Sequence, residues 1–336
     1  MSEDLVVVTG GAGYVGSHLT RQLLENGFRV RVLDNFLYGE QGLADLREHP
    51  RLEIQCGDIC NRQDMGRAAQ DASVVVALAA LVGDPACEVN PAEAHAINFE
   101  STRCLLDVSH EAGIRRLVFA SSCSVYGANG TELLREDSHL NPVSLYARTR
   151  IMSEELLLRE RGSIEVVILR LATVCGISWR MRFDLMVNTI TARAAMDGRV
   201  RIVGADQWRP HLHVQDAATA FACAVQAPSS AAQGAIFNVG HESQNFTIAE
   251  IGEKVVQHVP DTIVEYANGN GDRRSYRVGF DRVRDQLGFV PRFTVDDAIR
   301  EVRGVLTSGG IPNFEDEVYH NVKWLRREGV RRNHVQ

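Results

Sequence analysis

No stretch of this chain approaches the roughly 20 consecutive apolar residues that cross a bilayer, so no membrane span and no membrane partner are expected. It also lacks the basic surplus of nucleic-acid and anionic-membrane binders: Lys+Arg 36 stand against Asp+Glu 43, a formal net charge of −7. Cysteine is sparse and unpatterned. The seven residues (Cys56, Cys60, Cys87, Cys104, Cys123, Cys175, Cys223) are an odd number without a C-x-x-C pair. Cys56 and Cys60 have no second Cys/His pair nearby to complete a zinc site. Neither a disulfide framework nor a metal centre is expected; the thiols read as reduced and packed, in a cytoplasmic setting. The opening MSEDLVVVTGG carries acids where an export signal needs basic residues. Internal repeats and low-complexity linkers are missing too.

What remains is an ordinary globular composition: 336 residues, 45% hydrophobic and 24% charged, enough for two or three domains at about 100–200 residues each. Apolar runs at 5–8, 29–33, 52–55, 74–78, 117–120 and 166–171 alternate with helical patterns, clearest at 18–25, 98–112 and 146–161. Continuous rather than alternating apolar strands imply a parallel sheet with helices on both faces, an α/β doubly wound fold. After Thr173 the pattern weakens into short strands and helices, which predicts a smaller, loop-rich C-terminal domain. The division expected is 1–175, with returning segments at about 210–240, against 176–209 and 241–336. The basic, polar tail 323–336 reads as a frayed, solvated helix.

The strongest local signal is Val8-Thr9-Gly10-Gly11-Ala12-Gly13-Tyr14-Val15-Gly16, set between a strand and an amphipathic helix. Gly10 and Gly13 permit a tight turn and close approach to a pyrophosphate, and Gly16 permits close helix–sheet packing. The helix then offers free N–H groups and its positive dipole end to the phosphates. Asp34 closes the next strand, where a carboxylate takes the adenosine ribose hydroxyls. With Asn35 following and no arginine, a 2′-phosphate would be repelled. The cofactor expected is NAD rather than NADP.

The spacing G-x-x-G-x-x-G, with Gly57-Asp58-Ile59, Leu78-Ala79-Ala80, Asn98, Ser121-Ser122-Cys123-Ser124-Val125-Tyr126-Gly127, Tyr146 to Arg150 and Arg209-Pro210-His211-Leu212-His213-Val214, resembles the extended short-chain dehydrogenase/reductase family. Within it, the nucleotide-sugar epimerase and dehydratase branch fits best, close to UDP-galactose 4-epimerase-like members. The resemblance spans nearly the whole chain. It implies a Rossmann-type NAD domain and cofactor contacts from Gly10, Gly13, Tyr14, Val15, Gly16, Asp34, Asn35, Asp58, Ile59, Leu78, Ala79, Ala80, Asn98, Tyr146 and Arg150. It also implies a nucleotide-diphosphate sugar as substrate, and a homodimer formed through the 98–112 and 146–161 helices.

Tyr146 and Arg150, at i and i+4, are neighbours on one helix face. A phenol is a poor base at neutral pH, and a fixed cation beside it, with the positive nicotinamide ring, would favour the phenolate. Ser122 can supply a hydroxyl to the same substrate oxygen. By residue type alone such a pair is more often a packed ring and a solvated charge; the surrounding family segments reverse that reading. The family pattern is Y-x-x-x-K, so Arg150 departs from it, and that exchange is not conservative. Ala77 stands where many relatives have histidine, and Thr173 where many have a substrate-contacting asparagine. Relatives that eliminate water carry an Asp-Glu pair after the serine; here the places hold Cys123 and Ser124, which disfavours a 4,6-dehydratase. Substrate contacts expected are Ser122, Cys123, Ser124, Thr173, Arg182, Asn188, Arg209 and Arg274, the last two as a bidentate diphosphate clamp. Arg182 and Asp184 could line the sugar pocket or simply pair on the surface. His211 and His213 have no partners at ligand spacing, so no metal is expected. The activity expected is 4-epimerisation through transient oxidation at C4. The alternatives are a 4-dehydrogenase releasing keto sugar, the dehydratase, and a non-catalytic NAD-binding regulator.

Overall fold

The computed structural model describes residues 4–267 and 274–329. Seven strands form its central sheet: β1 (Leu5–Thr9), β2 (Arg29–Asp34), β3 (Leu52–Cys56), β4 (Val74–Ala77), β5 (Arg116–Ser122), β6 (Glu165–Leu171) and β7 (Ala235–Val239). Their order is β7-β6-β5-β4-β1-β2-β3, with every neighbouring pair parallel. This is the Rossmann-type doubly wound order, extended by one strand from a late segment of the chain. The order reverses between β1 and β4, and the crevice above their carboxyl ends is where such sheets bind ligands.

Burial explains the unbroken apolar strands. Val6 and Val8 of β1 pack into one core with Leu19, Leu23 and Phe221, while Leu5 and Val7 pack into the opposite one with Leu117 and Leu156. Alternate side chains of one strand therefore both meet helices. Each fully buried valine contributes roughly 1.5–3 kcal/mol relative to exposure. A smaller core lies around Ile190, Ile202, Ile251 and Ile299, from the helices Met186–Asp197, Ile248–His258 and Val295–Thr307 and the strand Arg199–Val203.

Two expectations are corrected. The 98–112 helix opens with a wide π turn at Ala96–Glu100 before the α-helix Ser101–Glu111. Within this turn the Asn98 carbonyl accepts from Thr102 Oγ1, Arg150 Nη2 and Ser153 Oγ. The tail is not a frayed helix over its first part. Asn321–Glu328 docks through Leu325, which is 1% exposed, and Trp324 Nε1 donates to the Leu37 carbonyl at 2.6 Å. Two large apolar side chains within a basic run suffice for this; the rest of the tail, 330–336, lies outside the described residues. A strand at Ala128–Leu134, absent from the sequence reading, pairs in parallel with Ser275–Val278.

Candidate active site

A pocket runs from the glycine turn along the carboxyl ends of the strands. At its cofactor end Gly10 has φ +74°, and a Cβ there would stand 2.8 Å from the Ala79 amide nitrogen. A Cβ on Gly16 would stand 2.1 Å from the Gly10 carbonyl oxygen. Both positions require glycine. The helix Gly16–Glu25 has no side-chain cap; Ser17 N donates to the Gly13 carbonyl at 3.0 Å, and the positive dipole end of the helix faces the glycine turn. Asp34 accepts from Ala12 N at 3.0 Å and Phe36 N at 2.8 Å, so the glycine turn holds the carboxylate in place. Burial raises the Asp34 carboxyl, and the two amides oppose the rise. Gly10, Gly13, Tyr14, Val15, Gly16, Asp34, Asn35, Asp58, Ile59, Leu78, Ala79 and Ala80 all line the pocket. The cradle and its carboxylate fit a dinucleotide with free ribose hydroxyls.

Helix Leu145–Glu160, capped by Ser144 Oγ on Ala147 N at 3.2 Å, presents Tyr146, Thr149, Arg150 and Ser153 on its buried face. The Arg150 guanidinium lies 5.5 Å from the Tyr146 ring centroid. It donates through Nη2 to Asn98 O at 2.9 Å and through Nη1 to Ala120 O at 3.2 Å, while its Nε has no partner. Asn98 does not line the pocket. Its side chain brackets Leu81, accepting from the amide at 2.9 Å and donating to the carbonyl at 3.0 Å. It thus acts on the site through Arg150 and the strand end. Among the protein's own groups, burial raises the Tyr146 phenol, and the opposing pull of Arg150 is smaller.

Ser122 Oγ accepts from Ser124 N at 3.1 Å, which leaves its own proton free to donate. Ser124 Oγ is buried without a partner and lines the pocket. Cys123 does not. It is fully packed, its thiol points at the Arg170 carbonyl at 3.2 Å, and burial pushes it far above the usual thiol range. Behind this segment Arg170 and Glu154 form a buried ion pair at 2.7 Å, and Ser121 Oγ donates to the same carboxylate.

On the substrate side Thr173, Arg182 and Arg274 line the pocket. Arg182 and Asp184 bond twice, at 2.9 and 3.0 Å; Arg182 is buried, whereas Asp184 is an exposed residue at the edge of the pair. Asn188 stands outside the pocket, bonded to Gly176 N, Tyr14 OH and Arg182 O, and so positions the 176–182 loop. The expected two-arginine clamp is not assembled. Arg209 is buried with its Nη1 on the Trp208 and Arg274 carbonyls, whereas Arg274 faces the pocket and bridges Asp84 at 3.1 Å. The sequence reading missed Arg180, Tyr38 and Asn321 in the pocket wall. No group of three metal-ligating side chains occurs among the described residues.

A glycine cradle, a strand-end carboxylate and a Tyr/Arg helix at the switch point are the features expected of an NAD-dependent enzyme of the extended short-chain dehydrogenase/reductase class. The family model for the NAD dependent epimerase/dehydratase family matches residues 6–240, and the chain belongs to that family. It is 30% identical over 325 residues to a UDP-glucose 4-epimerase of Azospirillum brasilense, covering 90% of this chain and 91% of that one. Among solved structures it is similar to a UDP-N-acetylglucosamine 4-epimerase of Methanobrevibacter ruminantium in complex with UDP-N-acetylmuramic acid. That match has a TM-score of 0.82 and 25% identity, over 92% of this chain and 99% of that one. A dTDP-glucose 4,6-dehydratase of Streptomyces venezuelae with NAD bound shares the fold, with TM-score 0.81 and 23% identity, over 91% of this chain and 98% of that one.

Proposed function

We propose that the protein is an NAD-dependent nucleotide-sugar 4-epimerase. The observation that carries this reading is the Tyr146–Arg150 pair on the pocket wall, with Ser122 and Ser124 on the same pocket and no carboxylate directly after Ser122. When bound, NAD supplies a hydride acceptor and a positively charged ring. Tyr146, as phenolate, takes the proton of the sugar C4 hydroxyl. Ser122 donates to that oxygen, and Arg150, held by the Asn98 and Ala120 carbonyls, biases the phenol toward ionisation. Tyr146 later returns the same proton when the keto sugar has turned its other face, so no acid or base is consumed.

The packed Cys123 thiol, raised by burial, is no substitute for the acid of a dehydratase, which speaks against elimination. The names of the relatives make UDP-hexoses the first substrates to try, with Arg274 and Arg182 as phosphate and sugar contacts. The helices Ser101–Glu111 and Leu145–Glu160 pack side by side and are proposed as a homodimer seam. Sedimentation showing only a 37.2 kDa species would contradict the dimer. Seven free cysteines support a reducing, cytoplasmic setting, and no described helix is long and apolar enough to cross a membrane. The activity is tested by incubation with UDP-glucose or UDP-galactose. A new 4-epimer without lasting NADH is expected, whereas stoichiometric NADH would indicate a 4-dehydrogenase.

A further inference from the structure

Arg180 is 2% exposed and lines the pocket, yet among the described residues no carboxylate bonds it. Its Nη2 donates to Asn321 Oδ1 at 2.6 Å, its guanidinium lies 4.1 Å from the Tyr38 ring centroid, and its Nε has no partner. Two other buried arginines nearby pair with carboxylates, Arg182 with Asp184 and Arg170 with Glu154, whereas Arg150 on the same wall is held by the Asn98 and Ala120 carbonyls. Burial and the neighbouring Arg182 pull Arg180 down to about 10. The Tyr38 hydroxyl is also buried without a partner, and burial pushes it up to about 12, so it stays protonated and can only gain by donating.

Asp184 and Asp34 act on Arg180 only from a distance; a buried guanidinium that no carboxylate bonds is costly, and an arginine fork matches phosphate oxygens. Its place in the fold says which phosphate. The loop bearing Arg180 is stapled to the glycine turn: Ser178 Oγ donates to Tyr14 O at 2.7 Å, Tyr14 OH donates to Gly176 O at 2.6 Å, and His18 Nε2 meets Ile177 O at 3.0 Å. Tyr38 follows Asp34 in the loop after β2, and Arg180 and Asp34 act on each other electrostatically. Arg274, with Asp84, comes from a different segment of the wall.

We propose that Arg180 and the Tyr38 hydroxyl bind the diphosphate of the dinucleotide, and that Asn321 aims the guanidinium, which makes the C-terminal helix part of the cofactor site. Trp324 on the Leu37 carbonyl and Leu325 in the cluster with Leu37 and Leu81 fix that helix over the same wall. The inference rests on the cofactor assignment of this pocket and not on the 4-epimerase reading.

The test is titration calorimetry on the cofactor-depleted full chain, with NAD and, separately, UDP. Arg180→Gln should raise the NAD dissociation constant about 10- to 100-fold, the range of a hydrogen bond to a charged group, and leave UDP unchanged. Asn321→Asp places a carboxylate on Nη2. It should raise the melting temperature of the cofactor-free protein while weakening NAD, opposite signs that a purely structural residue would not produce. Unchanged NAD affinity in either variant overturns the proposal, and so does a loss that falls on UDP instead. Should Arg180→Gln fail to fold, Asn321→Asp and Tyr38→Phe decide, the latter being expected to weaken NAD alone. Asp34→Arg separates the levels: if it too leaves NAD untouched, the cofactor assignment itself has failed.

Discussion

The main-chain carbonyl of Asn98 holds the guanidinium of Arg150 at 2.9 Å, and the side chain of the same asparagine locks Leu81 at the end of the neighbouring strand. This carbonyl, which lies in the π turn Ala96–Glu100, thus helps to set where the cation beside Tyr146 stands. Arg150→Lys should retain turnover, because the charge persists and only the planar fork is lost. Arg150→Ala should lower kcat about 10²–10⁴-fold, the usual reach of acid–base assistance. The sign of its pH effect follows from the phenol. Burial raises Tyr146 and Arg150 opposes this; without the cation the phenol ionises later, so the rising limb of kcat against pH moves to higher pH. A silent Arg150→Ala would remove the pair from the mechanism.

Asp34 tests cofactor choice. If Asp34 takes the ribose hydroxyls, Asp34→Arg removes that acceptor and its repulsion of a 2′-phosphate. NAD should weaken and the NAD/NADP affinity ratio should fall, read by competitive titration. An unchanged ratio would contradict the ribose assignment.

Much of this site was legible in the sequence because its demands are local. Gly10 and Gly16 are fixed by sterics against Ala79 and Gly10 itself, and Asp34 by the end of its strand. Tyr146 and Arg150 are set by helical spacing. Less legible were residues whose role depends on distant partners. Arg180 becomes a pocket residue only because Ser178, Tyr14 and His18 staple its loop to the first helix. Arg209 looked like half of a clamp, but pairing of Trp208–His213 with Asn245–Thr247 buries it against the Arg274 backbone. Trp324 and Leu325 sat in a run of charge that masked their docking.

Behind the Ser121–Tyr126 segment, the Glu154–Arg170 pair has both side chains only 3% exposed. Glu154→Ala leaves Arg170 buried and uncompensated, and should lower stability by about 3–5 kcal/mol. Denaturant unfolding reads this. A change within about 0.5 kcal/mol, the range of neutral surface substitutions, would show that the pair is not structural.

Two histidines set an acid limit. Burial pulls His18 and His211 down to about 4, so the unfolded chain binds these protons first. Their contribution to stability is full above the ordinary histidine pKa of about 6.5 and is lost as pH falls toward 4. The loss is on the order of 3 kcal/mol for each at full protonation. Melting temperature should therefore decline on acidification through that window, and less steeply in His211→Phe. A flat profile from pH 7 to 4 would contradict the assignment.

The most direct test follows UDP-galactose and UDP-glucose by proton NMR, with reduced-nicotinamide absorbance recorded in parallel, for the wild-type protein and Tyr146→Phe. The account predicts that the wild type converts either sugar to the same equilibrium mixture without lasting NADH. Tyr146→Phe should bind NAD as before and convert neither sugar. Undiminished conversion by Tyr146→Phe would contradict it.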